Sequence, residues 1–173
     1  AKIVNVEKFE AAKKNGGLKF NLGCGHLTLP SHLNVDRREL PGVDVVADVN
    51  DIPIDLGEAA EVFSAHLLEH FPQEQLRREL LPYWIGLLKP GGTFRAVVPD
   101  TEAMTVRYVN GEYPYDKFRE VTYGAQDYDG DFHFNMFTPD SMKQLLKEAG
   151  LKSIEIIEKA RRNGDCFEFE IAA

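Results

Sequence analysis

The sequence predicts an α/β protein built on a mostly parallel, buried sheet. Three observations carry that prediction: a series of short, almost wholly apolar runs, amphipathic stretches of helical period among them, and a closing hairpin signal at Asn163-Gly164. Strands covered by helices on both faces have no solvated side, so they read as continuous apolar runs rather than as alternating ones. The expected strands span residues 18–22, 33–35, 43–47, 62–65 and 93–98, followed by 154–157 and 167–171 around the hairpin turn.

The helices follow from spacing and caps. Val6, Phe9 and Ala12 give residues 3–14 a loose helical period that stops at Asn15-Gly16-Gly17. Between the fourth and fifth strands, Leu76, Leu80, Trp84, Leu87 and Leu88 recur at helical spacing over residues 73–88, and Pro82 predicts a kink or break there. Residues 139–149 form the clearest helix. Thr138 can cap it, Pro139 suits its first turn, Met142, Leu145, Leu146 and Ala149 make its buried stripe, and Gly150 ends it. The stretch 101–137 is rich in aromatics, among them Tyr113, Tyr128 and Phe134, without clean periodicity. It is expected to be an insertion over an acceptor site, because long irregular segments in compact domains are usually lids or binding loops. The plainer alternative is a surface insertion packed by its own aromatics.

Composition bounds the function. At 173 residues, 43% hydrophobic and 28% charged, the chain has the size of one domain spanning 1–173, with 1–17 as an N-terminal helical segment. The net charge of -8 repels phosphate backbones, and neither Arg77-Arg78 nor Arg161-Arg162 lays a basic track, so nucleic acid is not the expected partner. No apolar run approaches the roughly 18 residues of a membrane span. Two cysteines make no disulfide framework and no secretion signal opens the sequence, so a reducing, cytoplasmic setting is expected.

The chemistry-bearing residues fall at strand ends. The first strand runs into Asn21-Leu22-Gly23-Cys24-Gly25, where glycines let the backbone approach a ligand closely. Asp36 ends the second strand and can accept both hydrogens of a ribose diol, while Asp48 follows the third and can accept from an exocyclic amine. A dinucleotide site would also pair a glycine loop with a carboxylate, but Thr28 stands where a third glycine is needed. Only seven residues, His26 to His32, join the loop to the next strand, against a dozen or more for a helical crossover. Seven extended residues reach roughly 23 Å, enough to return along a short strand without a helix. Without a helix N-terminus to cradle a pyrophosphate, a ligand with ribose and adenine but no phosphate is favoured.

At this point the sequence resembles the class I S-adenosylmethionine-dependent methyltransferases over residues 18 to about 160. The matching elements are LKFNLGCG, LNVD, VVADV, SAHLLEHF and LKPGGTFRAVVPD, the last two being the most specific. The resemblance implies a three-layer Rossmann-like methyltransferase fold whose seven-stranded sheet has an antiparallel last strand; the first crossover is shorter than the family's. It also implies that Gly23 and Gly25, in the motif with Asn21, Leu22 and Cys24, lie against the methionine portion of the cofactor. Asp36 then binds the ribose, Asp48 with Val49 holds the adenine, and Ser64, Ala65 and His66 flank the methyl donor.

Methyl transfer to a hydroxyl gains from a positioned base. His66 is the first candidate, His133 the second, and Asp100 at the end of the fifth strand could face the acceptor or cap the next segment. A hydrogen-bonded structural histidine is the alternative for each imidazole, and His70 is expected to orient a turn. Cys24 between two glycines reads as a small apolar filler. No metal site is expected, since the histidines lack zinc-ligand spacing and the acidic run from Asp127 to Asp131 lacks a calcium loop's closing glutamate. The expected function is methyl transfer to a small or medium acceptor, with a saccharide or secondary metabolite preferred. A non-catalytic cofactor-binding module is the alternative, and a nicotinamide oxidoreductase a more distant one.

Overall fold

The computed structural model describes all 173 residues. The strands are β1 (Lys2–Ile3), β2 (Lys19–Leu22), β3 (Leu33–Asp36), β4 (Val45–Val46), β5 (Ala59–Ala65), β6 (Leu88–Pro99), β7 (Glu155–Asn163) and β8 (Cys166–Ala172). The helices are α1 (Val6–Lys14), α2 (Gln73–Gln75), α3 (Leu81–Leu87), α4 (Thr101–Val109), α5 (Tyr115–Tyr123) and α6 (Pro139–Glu148). The hydrogen-bonded strand order is β1-β4-β3-β2-β5-β6-β8-β7. β2 is parallel to β3 and β5, and β3 to β4, while β1–β4 and β7–β8 are antiparallel. The sheet therefore has eight strands rather than the expected seven. The addition is β1, whose two residues are too short a run to stand out in the sequence.

The chain folds into two compact units, Ala1–Ala65 with Arg78–Arg95, and His66–Arg77 with Ala96–Ala173. In the first unit, Phe20, Leu33, Val62, Leu81 and Trp84 are buried to within 1% exposure and form the core. Each such side chain contributes about 1.5–3 kcal/mol. The crossover between β2 and β3 contains no helix, as its length requires. Two buried amides do a helix's hydrogen bonding there. Asn34 accepts from the Leu29 amide at 2.8 Å and donates to the Leu29 carbonyl at 3.1 Å, and Asn21 donates to the Leu27 carbonyl at 2.9 Å. Buried Asp44 closes the network, accepting from the Asn34 amide at 2.9 Å, Asn5 at 2.8 Å and Lys8 at 2.6 Å.

The helix expected over 73–88 is interrupted earlier than Pro82 predicts. Residues Leu76–Leu80 form a π-helical turn, and Pro82 sits in the first turn of α3, where its missing N–H costs nothing. In the second unit, the stretch 101–137 is more regular than expected, because it holds α4 and α5. Met104, Tyr113 and Phe167 cluster beneath them, with Ala103, Phe118 and Val121 packed alongside. Tyr113 and Phe137 are the buried aromatics of this stretch, whereas Tyr115, Tyr123 and Phe134 are more than 60% exposed. α6 carries the expected Thr138 cap, elaborated into a capping box with Ser141, and buries Met142, Leu145 and Leu146. β7 runs well beyond the expected 154–157, to Asn163, with two register shifts. No helix is long and apolar enough to cross a membrane.

Burial alone would raise the Asp44 carboxyl, but the hydrogen bonds from Asn34, Lys8 and Asn5 outweigh it and hold the group below its ordinary value. The unfolded chain therefore takes up this proton at higher pH than the folded one. The stabilisation is present above the ordinary carboxylate range and is lost as pH falls through the folded value. Asp44→Asn is expected to lose about 2–3 kcal/mol at pH 7 and to show a flatter acid limb in urea midpoint against pH. A variant as stable as the parent at pH 7 would show that the network carries no such weight.

Candidate active site

Register sets the site in the first unit. Leu22 lies opposite Val35 on one side and Ser64 on the other, and Val35 lies opposite Val45, so the carboxyl ends of four parallel strands finish in one rank. The chain leaves β2 through Gly23 and Gly25, both in the left-handed region at φ 62° and 52°, where a side chain is strained. A Cβ at Gly25 would meet nothing closer than 3.7 Å, so conformation rather than space is what requires glycine there. The turn brings the Gly25 amide to 2.9 Å from Asp36 Oδ2 and the Cys24 amide to 2.9 Å from the Val35 carbonyl. On the other flank the Ala47 amide donates to the Asp36 carbonyl at 3.1 Å. Gly25, Asp36 and the entry to Asp48 thus meet at one edge.

Asp36 is 5% exposed, and Arg38 donates to it from its backbone at 2.9 Å and from Nε at 3.0 Å. Burial pushes this carboxyl up, but the bonds from Arg38 and Gly25 pull it further down, so it stays ionised at neutral pH. Asp48 is exposed, and the adjoining Val49 carbonyl is fixed by the indole of buried Trp84 at 2.8 Å. Asn21 is committed to the crossover and to Asn34, so it supports the loop rather than facing outward. Leu22 is fully buried. Burial, then the carboxylates of Asp36 and Asp44, push the Cys24 thiol up to about 11, which suits a packed filler. Ser64 is 2% exposed and its hydroxyl has no hydrogen-bond partner.

Ala65 ends β5 in the first unit, and the remaining predicted residues, His66, His133 and Asp100, lie in the second. His66 follows Ala65 directly, with a left-handed φ of 53° held by its amide bond to the Val97 carbonyl at 2.9 Å. A non-glycine residue there costs on the order of 1–2 kcal/mol, and such strain persists where the surroundings impose it. Its Nε2 meets buried Glu168 at 2.5 Å. Its Nδ1 lies 3.4 Å from Glu69, an ion-pair distance without hydrogen-bond geometry, so Glu168 is the firmer partner. Burial would lower this imidazole, but Glu168 and then Glu69 raise it to about 9. Glu168 in turn is pulled down to about 2 against its burial, by His66, Asn163 and Arg161. Both carboxylates thus favour the imidazolium form of His66, in which neither ring nitrogen is a free base. Burial keeps His133 below the ordinary value and hence neutral; its Nδ1 faces the Val121 carbonyl at 2.7 Å.

Asp100 is 2% exposed and both oxygens are engaged, Oδ1 by the Ala103 amide and Oδ2 by the Ala160 amide, each at 3.0 Å. It caps α4 and ties that helix to β7, which removes it from the acceptor-facing candidates. Glu69, Glu168 and Arg161 were invisible as a group in the sequence. Glu168 and His66 stand 102 residues apart, so no local pattern joins them.

No family model matches the chain, and no curated protein matches it. Solved structures do. One is a methyltransferase dependent on S-adenosylmethionine from Archaeoglobus fulgidus, at TM-score 0.61 and 13% identity over 97% of this chain and 90% of that one. A possible histamine N-methyltransferase from Thermotoga maritima matches at TM-score 0.61 and 13% identity, covering 96% and 94%. The 1,6-didemethyltoxoflavin-N1-methyltransferase of Burkholderia thailandensis matches at 0.60 and 14%, covering 98% and 80%. The chain has the methyltransferase fold.

Glu168 holds His66, Arg161 and Asn163 at once. Glu168→Ala is expected to cost about 3 kcal/mol, because it removes the buried carboxylate that His66, Arg161 and Asn163 share, leaving His66 with Glu69 alone and Arg161 with Glu158 and Glu170. A urea midpoint unchanged from the parent would overturn that assignment.

Proposed function

We propose that this protein transfers a methyl group from S-adenosylmethionine to a small or medium-sized acceptor. The observation that carries the reading is the rim at which the Gly25 amide and Asp36 are hydrogen-bonded and Ala47 delivers the chain to Asp48. Such an edge offers two carboxylates and a left-handed glycine turn, and its crossover has no helix to receive a pyrophosphate. The Ser64 hydroxyl, opposite Leu22 in register, is buried without a hydrogen-bond partner. When bound, S-adenosylmethionine supplies an electrophilic methyl on a sulfonium whose departure leaves a neutral thioether.

The residues of this chain hold and align. Gly23, Cys24 and Gly25 present backbone to the methionine portion, Asp36 accepts from the ribose hydroxyls, and Asp48 with Val49 borders the adenine. Arg38 Nη2 lies 3.4 Å from Asp36 Oδ2, the longest of that carboxylate's contacts and the one a diol would displace. Ser64, Ala65 and His66 lie beside the methyl donor, and the fixed charge of His66 orients rather than abstracts a proton. Alignment of acceptor and methyl, about 3 Å apart, supplies most of the acceleration in such a displacement.

The acceptor we favour is a saccharide or secondary metabolite, met in the cytoplasm, with nucleic acid excluded. The net charge of -8 supports that exclusion. Two of the solved structures that share the fold carry small molecules in their names, 1,6-didemethyltoxoflavin for one methyltransferase and histamine for the other, a possible histamine N-methyltransferase.

Calorimetry with S-adenosylhomocysteine tests the cofactor assignment. Asp36→Ala is expected to weaken binding about 10- to 100-fold, the loss of charge-assisted hydrogen bonds, while NADH binds neither protein. Tight NADH binding with none for the nucleoside would reverse the reading. Turnover is read by label transfer from methyl-labelled cofactor to a panel of candidate acceptors. Binding without transfer to any acceptor would leave a cofactor-binding module in place of the enzyme.

A further inference from the structure

We infer that Glu69, His70 and His133 form a site for one divalent first-row transition ion of the zinc type, with a coordination position left open. One ligand atom from each of the three lies within 4.8 Å of the others. Zinc bonds of about 2.0–2.2 Å place tetrahedral ligand atoms about 3.4 Å apart, so binding draws the side chains in by about 1 Å.

Three features of the cluster point to a cation. Glu69 is 1% exposed, and neither of its carboxyl oxygens has a hydrogen-bond partner. Its one ionic neighbour, His66, stands 3.4 Å from Oε1 and leaves Oε2 unclaimed. A buried carboxyl group without hydrogen bonds is costly, and a cation is one of the few partners that relieves it. Both imidazoles have Nδ1 taken by a backbone carbonyl. His70 Nδ1 faces the Phe132 carbonyl at 3.1 Å and His133 Nδ1 faces the Val121 carbonyl at 2.7 Å. A carbonyl can only accept, so each Nδ1 donates, and Nε2 is the nitrogen that the neutral ring offers to a metal, the tautomer that backbone carbonyls impose on metal-bound histidine. The rings stand edge to face with centroids 4.8 Å apart.

The two segments that bring these ligands are already joined. The Phe134 and Asn135 amides both donate to the Glu69 carbonyl, at 2.8 and 3.2 Å, and the His133 amide donates to the Tyr123 carbonyl at 3.0 Å. Two imidazoles with one carboxylate select transition ions over calcium or magnesium, and three protein ligands leave a place for water or a ligand oxygen. The inference stands apart from the methyl-transfer reading, since metal binding is measured without turnover. It departs from the sequence expectation because His70 and His133 are 63 positions apart and share no ligand motif.

The test uses the full chain stripped with a chelator and titrated with Zn2+ by calorimetry, with Co2+ as a visible probe. One ion per chain is expected, with d–d absorption in the Co2+ form, and H70A and H133A should each weaken binding about tenfold or more at unchanged far-ultraviolet dichroism. Should either variant fail to fold, Zn2+ added to the parent must still shift the ring resonances of His70 and His133 while leaving those of His26 and His32 in place. Absence of stoichiometric binding, undiminished affinity in the folded variants, or ring shifts confined to other histidines would each overturn the site.

Discussion

The register of β2 against its two parallel neighbours is the constraint on which the rest of the molecule depends. Leu22 opposite Val35 and Ser64 places the glycine turn, the end of β3 and the end of β5 in one rank. A one-residue slip of β3 would turn Asn34 and Asp36 to the other face and separate Asp36 from the Gly25 amide. The register is in turn fixed by polar atoms as much as by apolar packing. Asn21 and Asn34 lie directly opposite each other on β2 and β3, and their side chains are hydrogen-bonded at 3.0 Å. That pairing is satisfied in one alignment only, which gives a buried polar contact its value in specifying structure.

The same two amides explain how a parallel connection manages without a helix. A crossover helix normally satisfies its own backbone groups, whereas an extended return strand buries amides and carbonyls that must find partners elsewhere. Here Leu27 and Leu29 are served by the side chains of Asn21 and Asn34, and Asp44 holds Asn34 from its far side. The cost falls on a buried carboxylate, which the cationic Lys8 and the Asn5 amide offset from α1 and its cap. The N-terminal segment is thus a support for the rim in addition to covering the sheet.

The legible parts of the fold were those governed by local rules. Apolar runs located the long strands, Thr138, Pro139 and Gly150 bounded α6, and Asn163-Gly164 marked the hairpin, because each signal is contained within a few residues. The strand β1 is two residues long and exists only through its pairing with β4, so no local pattern could show it. α4 and α5 were obscured for another reason: the aromatics of residues 101–137 split between the Met104–Tyr113–Phe167 cluster and solvent, which blurs the helical period. The cap at Asp100 and the Pro114 preceding Tyr115 were the signals that could have found them. At the site, the glycines and Asp36 were legible as residue types at strand ends. The charge cluster was not, since Glu69, His66 and Glu168 meet only after the second unit has folded.

That cluster bears on the protonation of His66. A histidine near its ordinary value exchanges protons at neutral pH, but one clamped by a buried carboxylate at 2.5 Å and backed by a second at 3.4 Å holds its proton. Glu168 is in turn anchored by Arg161, which also reaches Glu158 and Glu170, so the imidazolium is the inner end of a chain of alternating charge on β7 and β8. The left-handed backbone at His66 belongs to the same arrangement: the bond from its amide to Val97 and the ion pair from its ring fix both ends of the residue. A side chain so constrained is held in position at both its backbone and its ring, with its charge balanced by buried carboxylates.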